Sequence, residues 1–192
     1  MIEIQKAKIN TAGAYVCVNG LYPFAIGTQL HNGHIPVFRL GGHRVEHETG
    51  WQCTMREVYE ETSMQLRPIT PATTFLLPDG DDVNTGLEKI LWQHETDQEP
   101  APMLVVAYRR EGNIMLSLMY LAQADRLPIP SSEVKGLLLL DKKDIHRLCR
   151  EPITLGQYLK NGGKALLNYE YDRGLVLEPF IQLQLLSRMI LE

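Results

Sequence analysis

The segment that most constrains this fold is a helix-period stretch set inside strand-period sequence. Over residues 50–64 the apolar positions recur at helical spacing, and Trp51, Met55, Val58 and Thr62 fall within an arc of about 60° at ~100° per residue. That stripe predicts a buried face. Thr49 and Gln52, three apart at its start, match a capping box in which each side chain satisfies a backbone N–H of the other. Ahead of the helix, residues 14–18, 24–29 and 35–40 read as strands, with His31-Asn32-Gly33-His34 supplying turn chemistry for a hairpin. After it, residues 66–77 read as extended, and Pro78-Asp79-Gly80-Asp81-Asp82 as a turn. Residues 103–109 and 114–122 read as a second hairpin across Arg110-Glu111-Gly112-Asn113, and residues 134–140 as a buried strand. Helices are predicted over 141–149 and from about 178 to 190, the tail between them running through 154–160 to a Gly162-Gly163 break, while residues 82–102 read as a surface excursion. Strands and helices interleaved in this way predict an α/β (α+β) chain, an α/β/α sandwich with a mixed sheet between helices.

At 192 residues the chain has room for one domain, read here as 1–192 with 142–192 a mainly helical C-terminal part. With 44% hydrophobic residues it can build a sizeable core. Nineteen basic against 23 acidic side chains leave a net charge of −4, a field that disfavours long nucleic acid as a partner. No apolar run approaches the ~20 residues that span a bilayer, so no membrane partner is expected, and the N-terminal residues lack the pattern of a signal peptide. A cytoplasmic location is the resulting expectation. Cys17, Cys53 and Cys149 are too few and too widely spaced for a disulfide framework or a zinc knuckle. In the last helix Ile181, Leu185 and Met189 recur every four residues beside Leu186 and Ile190, an apolar stripe that the domain or a second copy in a homodimer would cover.

The chemistry concentrates on the first helix. Glu57, Glu60 and Glu61 stand at i, i+3 and i+4, so their carboxylates share one arc. Two carboxylates ~6 Å apart repel by about 0.7 kcal/mol in water and by roughly 3 kcal/mol at an effective dielectric of 20, so a counter-charge is expected. A divalent cation would supply it. Oxygen donors favour Mg2+, Mn2+ or Ca2+ over zinc and leave positions for water and substrate phosphate. Glu48 and Arg56 are placed to add a carboxylate and to tie the cluster down.

The segment from Gly42 to Met64 resembles the Nudix box, Gx5Ex7REUxEExGU with U bulky and apolar, through Gly42, Glu48, Arg56, Glu57, Val58, Glu60, Glu61 and Met64. A match this complete arises by chance in on the order of one chain in 10⁵. One position departs: Ser63 stands where the box has glycine, a change that costs ~1 kcal/mol if the backbone there is left-handed. The resemblance implies metal-dependent hydrolysis of a pyrophosphate bond in a nucleoside diphosphate linked to another moiety, with Mg2+ or Mn2+ as cofactor and a small nucleotide derivative as partner. It implies Glu60 and Glu61 as principal metal ligands with the carbonyl of Gly41, and Glu48 as a further metal contact. Glu57 would orient or deprotonate the attacking water or bind metal, with Arg56 as its positioning partner. Glu133, ahead of a late strand, matches the place where some members supply an extra ligand or base, although after Ser131-Ser132 it reads equally as a turn residue.

Outside the box the alternatives stay open. Pro78 stands near the position of an ADP-ribose-type proline, and turn chemistry explains it as well. Tyr59, Trp92, Tyr108 and Tyr120 could stack on a base or fill the core. His43 and His47 could touch phosphate or be solvated, and Arg39, Arg44, Arg109 and Arg110 are candidate phosphate clamps. A Nudix-like module that senses a nucleotide or sugar phosphate without turnover is the alternative from another class. An isomerase on the same fold is disfavoured, because nothing beside Cys53 marks a proton-shuttling pair.

Overall fold

The computed structural model describes residues 7–80, 82, 84–93 and 99–190. Parts of three sequence readings lie outside these residues: the N-terminal residues 1–4, Asp81 of the turn, and residues 83 and 94–98 of the surface excursion. In chain order the elements are β1 (Lys8–Cys17), β2 (Tyr22–Ile26), β3 (Ile35–Phe38), β4 (Leu40–His43), α1 (Gly50–Thr62), β5 (Arg67–Pro68), β6 (Thr74–Leu77), β7 (Glu88–Ile90), β8 (Leu104–Arg110), β9 (Asn113–Gln123), β10 (Gly136–Leu140), α2 (Lys142–Leu148), α3 (Leu155–Lys160), β11 (Lys164–Leu167), β12 (Leu177–Pro179) and α4 (Ile181–Met189). The chain is therefore α+β, with mixed pairing, and its strands divide over two sheets. Among the described residues no helix is long and apolar enough to cross a membrane.

Two compact units arise, each from several segments: Met1–Val16, Gly41–Tyr59 and Gln65–Ala124 form the first, and Cys17–Leu40, Glu60–Met64 and Asp125–Glu192 the second. The first unit holds a sheet ordered β4-β1-β9-β8-β6-β7, with β5 on β9. Its β8–β9 hairpin closes through Arg110 opposite Asn113, with Glu111 and Gly112 at φ of 51° and 80°, the left-handed pair of a type I′ turn. Parallel pairing enters where β6 runs beside β8. Helix α1 starts on this sheet. The indole of Trp51 meets the Tyr120 ring edge-on, centroids 5.3 Å apart. Gly50 permits the approach, because a Cβ there would stand 2.5 Å from the Tyr120 hydroxyl.

The buried face of α1 is wider than the predicted stripe, taking in Gly50, Cys53 and Thr54, and leaves out Met55. Trp51, Thr54, Val58 and Thr62 are buried, whereas Met55 is 37% exposed. At 100° per residue Gly50, Thr54 and Val58 centre the face and Met55 falls at its margin. Thr54 goes inside because its hydroxyl donates to the Gly50 carbonyl at 2.9 Å, which removes the cost of burying it. The predicted capping box is present: Thr49 N–H donates to Gln52 Oε1 at 3.0 Å and Gln52 N–H to Thr49 Oγ1 at 3.2 Å.

The second unit is built on a sheet ordered β11-β10-β2-β3-β12. Central β10 reads Gly-Leu-Leu-Leu-Leu and every residue is buried, each leucine contributing about 2 kcal/mol. The predicted hairpin pairs Ala25 with Phe38 and Ile26 with Val37, and Asn32 and Gly33 turn its tip at φ of 50° and 80°. Asn19 and Gly20 make an equivalent turn, at 51° and 76°, between the Val18 and Leu21 bridge partners. Asp141 and Thr154 cap α2 and α3 with full capping boxes. The C-terminal residues 142–192 also contain β11 and β12, and Glu178, read from sequence as helical, lies in β12. On α4 the buried residues are Leu183, Leu185, Leu186 and Ser187, and Ile181 and Met189 are only half-buried. That face packs on α2, β3 and β12 of the same chain, so the stripe does not by itself call for a second subunit.

Candidate active site

In the first unit, one arginine organises two of the predicted carboxylates. Arg56 donates from Nε to Glu48 Oε1 at 2.6 Å and from Nη2 to Glu48 Oε2 at 3.0 Å, a fork on both oxygens. Its Nη1 donates to Glu57 Oε1 at 2.8 Å, and Nη2 also reaches the His43 carbonyl at 3.1 Å. The three side chains are 29%, 16% and 19% exposed for Arg56, Glu48 and Glu57, so solvent screens these pairs only in part. The Arg56 hydrogen bonds hold the Glu48 carboxyl below its ordinary value of 4.5, assisted by the Val45 N–H. Reciprocally, the carboxylates push the guanidinium further up. The counter-charge anticipated for the acidic cluster is thus partly internal.

Gly42 and Gly41 show why this loop is glycine-rich. A Cβ on Gly42 would run into the Glu57 carboxylate, so only glycine lets that side chain lie against the backbone. Gly41 adopts φ 127°, a conformation that side chains resist. The loop that follows is tied by Arg44, whose N–H donates to the Asn10 carbonyl at 3.0 Å and whose Nε donates to the Glu48 carbonyl. Arg44 is therefore placed as a loop anchor. Cys53 is fully buried near the Gly42 carbonyl, and burial pushes its thiol up to about 11, which leaves it protonated and inert at neutral pH. His43 and His47 are exposed, and Tyr120 belongs to the core. Tyr108 uses its hydroxyl as acceptor for Asn10 Nδ2 at 2.6 Å, and Tyr59 is 54% exposed. Arg109 and Arg110 are exposed on β8, Arg39 reaches the Leu40 carbonyl at 3.4 Å, and Pro78 and Trp92 are half-buried.

The second unit contains the other half of the predicted set. Glu61, at the end of α1, and Glu133 border one cavity of about 420 Å³, although 72 positions separate them. Ser131 brings them there. Its N–H donates to the Glu61 carbonyl at 3.0 Å, and its hydroxyl accepts from the N–H groups of Glu133 at 3.2 Å and Val134 at 3.4 Å. Ile129 N–H likewise donates to the Thr62 carbonyl at 2.9 Å. The loop thus satisfies carbonyls that the end of a helix leaves open, and in doing so delivers Glu133. Ser63 follows at φ 56°, the left-handed position that glycine occupies in the box. Glu60 is exposed beside Glu61.

Among the described residues no three His, Cys, Asp or Glu side chains are gathered into a ready cage for a metal. Mg2+ does not require one, since it is commonly held by one or two carboxylates together with waters and substrate phosphates. Glu61 and Glu133, oxygen donors on one cavity, fit that pattern. Lys135 borders the same cavity, and no ion pair among the described residues engages it. Sequence reasoning missed Ser131 as the tether and Lys135 as the cation of this cavity. A hydroxyl two residues ahead of a candidate acid is a turn signal that could have marked Ser131.

No protein-family model and no curated protein sequence matches this chain. Several solved structures that it resembles are Nudix hydrolases. A hydrolase of that family from Clostridium perfringens is 16% identical over 96% of this chain and 99% of that one, with a TM-score of 0.49. A Nudix hydrolase from Nitrosomonas europaea is 17% identical over 87% and 99%, at 0.40. An Ap4A hydrolase of C. elegans, solved as a binary complex, is 16% identical over 72% and 84%, at 0.45.

Proposed function

We propose that this chain is a Nudix-type pyrophosphohydrolase acting on a nucleoside diphosphate linked to another moiety, with Mg2+ or Mn2+ as cofactor. The observation that carries the reading is that Glu61 of the box and Glu133, a residue proposed from its place ahead of a late strand, border the same cavity. In this reading Glu61 and Glu133 are the cavity's oxygen donors for the cation, and Glu60, next to Glu61 in the same unit, is a further candidate ligand. Bound there, the cation would neutralise charge on the phosphates and acidify a water. Water oxygen attacks one phosphorus, the bridging P–O bond breaks, and two phosphate monoesters leave. The proton released from water passes to a carboxylate and then to solvent. Glu133 suits this role because, among the described residues, it is anchored through its backbone N–H, whereas Glu57 has one oxygen committed to Arg56. Arg56 holds Glu48 and Glu57 in place and favours the ionised form of Glu48, a positioning role. Lys135 is the side chain suited to a phosphate that the cation does not hold.

A panel of nucleoside triphosphates, ADP-ribose, nucleotide sugars and dinucleoside polyphosphates, assayed for release of phosphate or nucleoside monophosphate, tests this. Turnover of at least one of them that stops on chelation is expected. Ligand binding with no product after prolonged incubation with metal would instead favour a sensing module.

A further inference from the structure

The first unit contains a cavity that the proposed hydrolysis does not use. It measures about 460 Å³ and shares no lining residue with the cavity of Glu61 and Glu133. Three neighbouring strands build it, with β9 lying between β1 and β8. Arg110 of β8 stands opposite Asn113 of β9, and Tyr108 opposite Met115. Cross-strand partners at alternate positions share one face of a sheet, so these four side chains project together. Asn10 of β1 joins that face, because its Nδ2 donates to the Tyr108 hydroxyl at 2.6 Å. Lys8 stands two residues earlier on β1 and points with it.

The polar groups of this face fall into a closed row and an open one. In the inner row Asn10 and Tyr108 bond to each other. The outer row is Lys8, Asn113 and Arg110: an ammonium and a guanidinium on strands two spacings apart, about 10 Å between backbones, with an amide between them. Asn113 is steadied by a 3.4 Å bond from Nδ2 to the Glu111 carbonyl. Both cations are exposed, and no ion pair among the described residues engages Lys8. Arg110 meets the Glu111 carboxylate only at 3.9 Å, with the two side chains 59% and 84% exposed, a pair that contributes little. One carboxylate against two cations leaves the cavity locally positive in a chain whose net charge is −4. Arg110, a candidate phosphate clamp by sequence, thus borders this cavity and not the one with Glu61.

We propose that this cavity is a second ligand site, for a small organic dianion of the dicarboxylate class. One carboxylate takes the Arg110 guanidinium, whose planar fork matches its two oxygens, and the other takes the Lys8 ammonium across β9. Asn113 stands between them to bond a polar group on the connecting chain, and Met115 gives its methylenes an apolar floor. A lone oxyanion would leave most of the 460 Å³ to water, whereas a volume inside the ~300–1,000 Å³ range of small-molecule sites suits an organic ligand that reaches both flanking strands. The inference does not rest on the hydrolase reading.

Isothermal titration of the full chain with glutarate and with butyrate, in low-salt buffer without added metal, tests it. Glutarate is expected to bind saturably and at least about threefold more tightly than butyrate, the effect of a second exposed charge pair, and to weaken as NaCl is raised to about 0.5 M. The Lys8→Gln/Arg110→Gln double variant should lose the preference for glutarate, and Lys135→Gln, in the other cavity, should keep it. Equal affinity for the two acids, no binding of glutarate, or a preference lost in Lys135→Gln and kept in the double variant would overturn the site. The wild-type ratio decides the matter even if a variant fails to fold, and none of these outcomes bears on hydrolysis.

Discussion

Two parts of this molecule carry box carboxylates, and they treat them differently. Around Arg56 the carboxylates of Glu48 and Glu57 are bonded to a guanidinium and largely shielded from solvent. Around the 420 Å³ cavity Glu61 and Glu133 face space that a ligand can enter, and Glu133 is exposed and held through its backbone. A carboxylate with its own arginine stabilises the fold and fixes geometry. Carboxylates that border a cavity stand where an arriving ligand can reach them.

The largest effects should therefore appear in activity at the cavity and in stability at the arginine. Glu61→Gln or Glu133→Gln is expected to lower turnover by about 10²–10³-fold, in the range of a lost base or metal contact. Urea unfolding of Glu133→Gln should stay within about 0.5 kcal/mol of wild type. Unchanged turnover in both would erase the contrast. Arg56→Ala should reverse the pattern, losing roughly 2–3 kcal/mol of stability because two charged hydrogen-bonding partners are left behind. Arg56→Lys should recover only part of this, since an ammonium cannot engage both oxygens of Glu48 in a fork.

Acid sharpens the same comparison. The folded-state value of Glu48 is depressed, so the unfolded chain binds more protons in that range and stability rises with pH. The contribution is complete above the unfolded carboxyl value near 4.5 and is lost as pH falls through the folded one. Unfolding followed from pH 6 downward should show a steeper loss for wild type than for Glu48→Gln; parallel curves would argue that Arg56 contributes little. Smaller effects belong to the backbone. Gly42→Ala must displace Glu57 from its seat and should cost about 1–3 kcal/mol, visible as a lower Tm. Ser63→Gly relieves a left-handed serine and should add up to about 1 kcal/mol, reduced by the extra freedom glycine gives the unfolded chain.

Features set by neighbours in sequence were the legible ones. Asn-Gly and Glu-Gly pairs turned the hairpins, Thr49 with Gln52 capped α1, and the unbroken leucines of β10 read as a buried strand. The box residues were legible because their spacing is a property of one loop and one helix. Burial read from polarity went astray at α1, where Thr54 hides its hydroxyl in a bond to Gly50 and Met55 is left at the margin. The acidic cluster was legible as a charge problem but not its partial answer, because the Arg56 fork on Glu48 depends on how the loop folds back. Phe38, Lys135 and Phe180 carried no signal, since only the folded second unit brings them to one cavity.

The central claim is that Glu61 and Glu133 face a cavity that takes a divalent cation together with a diphosphate. Electron paramagnetic resonance titration of Mn2+ into the full chain in the presence of a non-hydrolysable nucleotide measures this directly. The account predicts a saturable site in wild type that weakens at least about tenfold in the Glu61→Gln/Glu133→Gln double variant. Superimposable titration curves for the two proteins would contradict it.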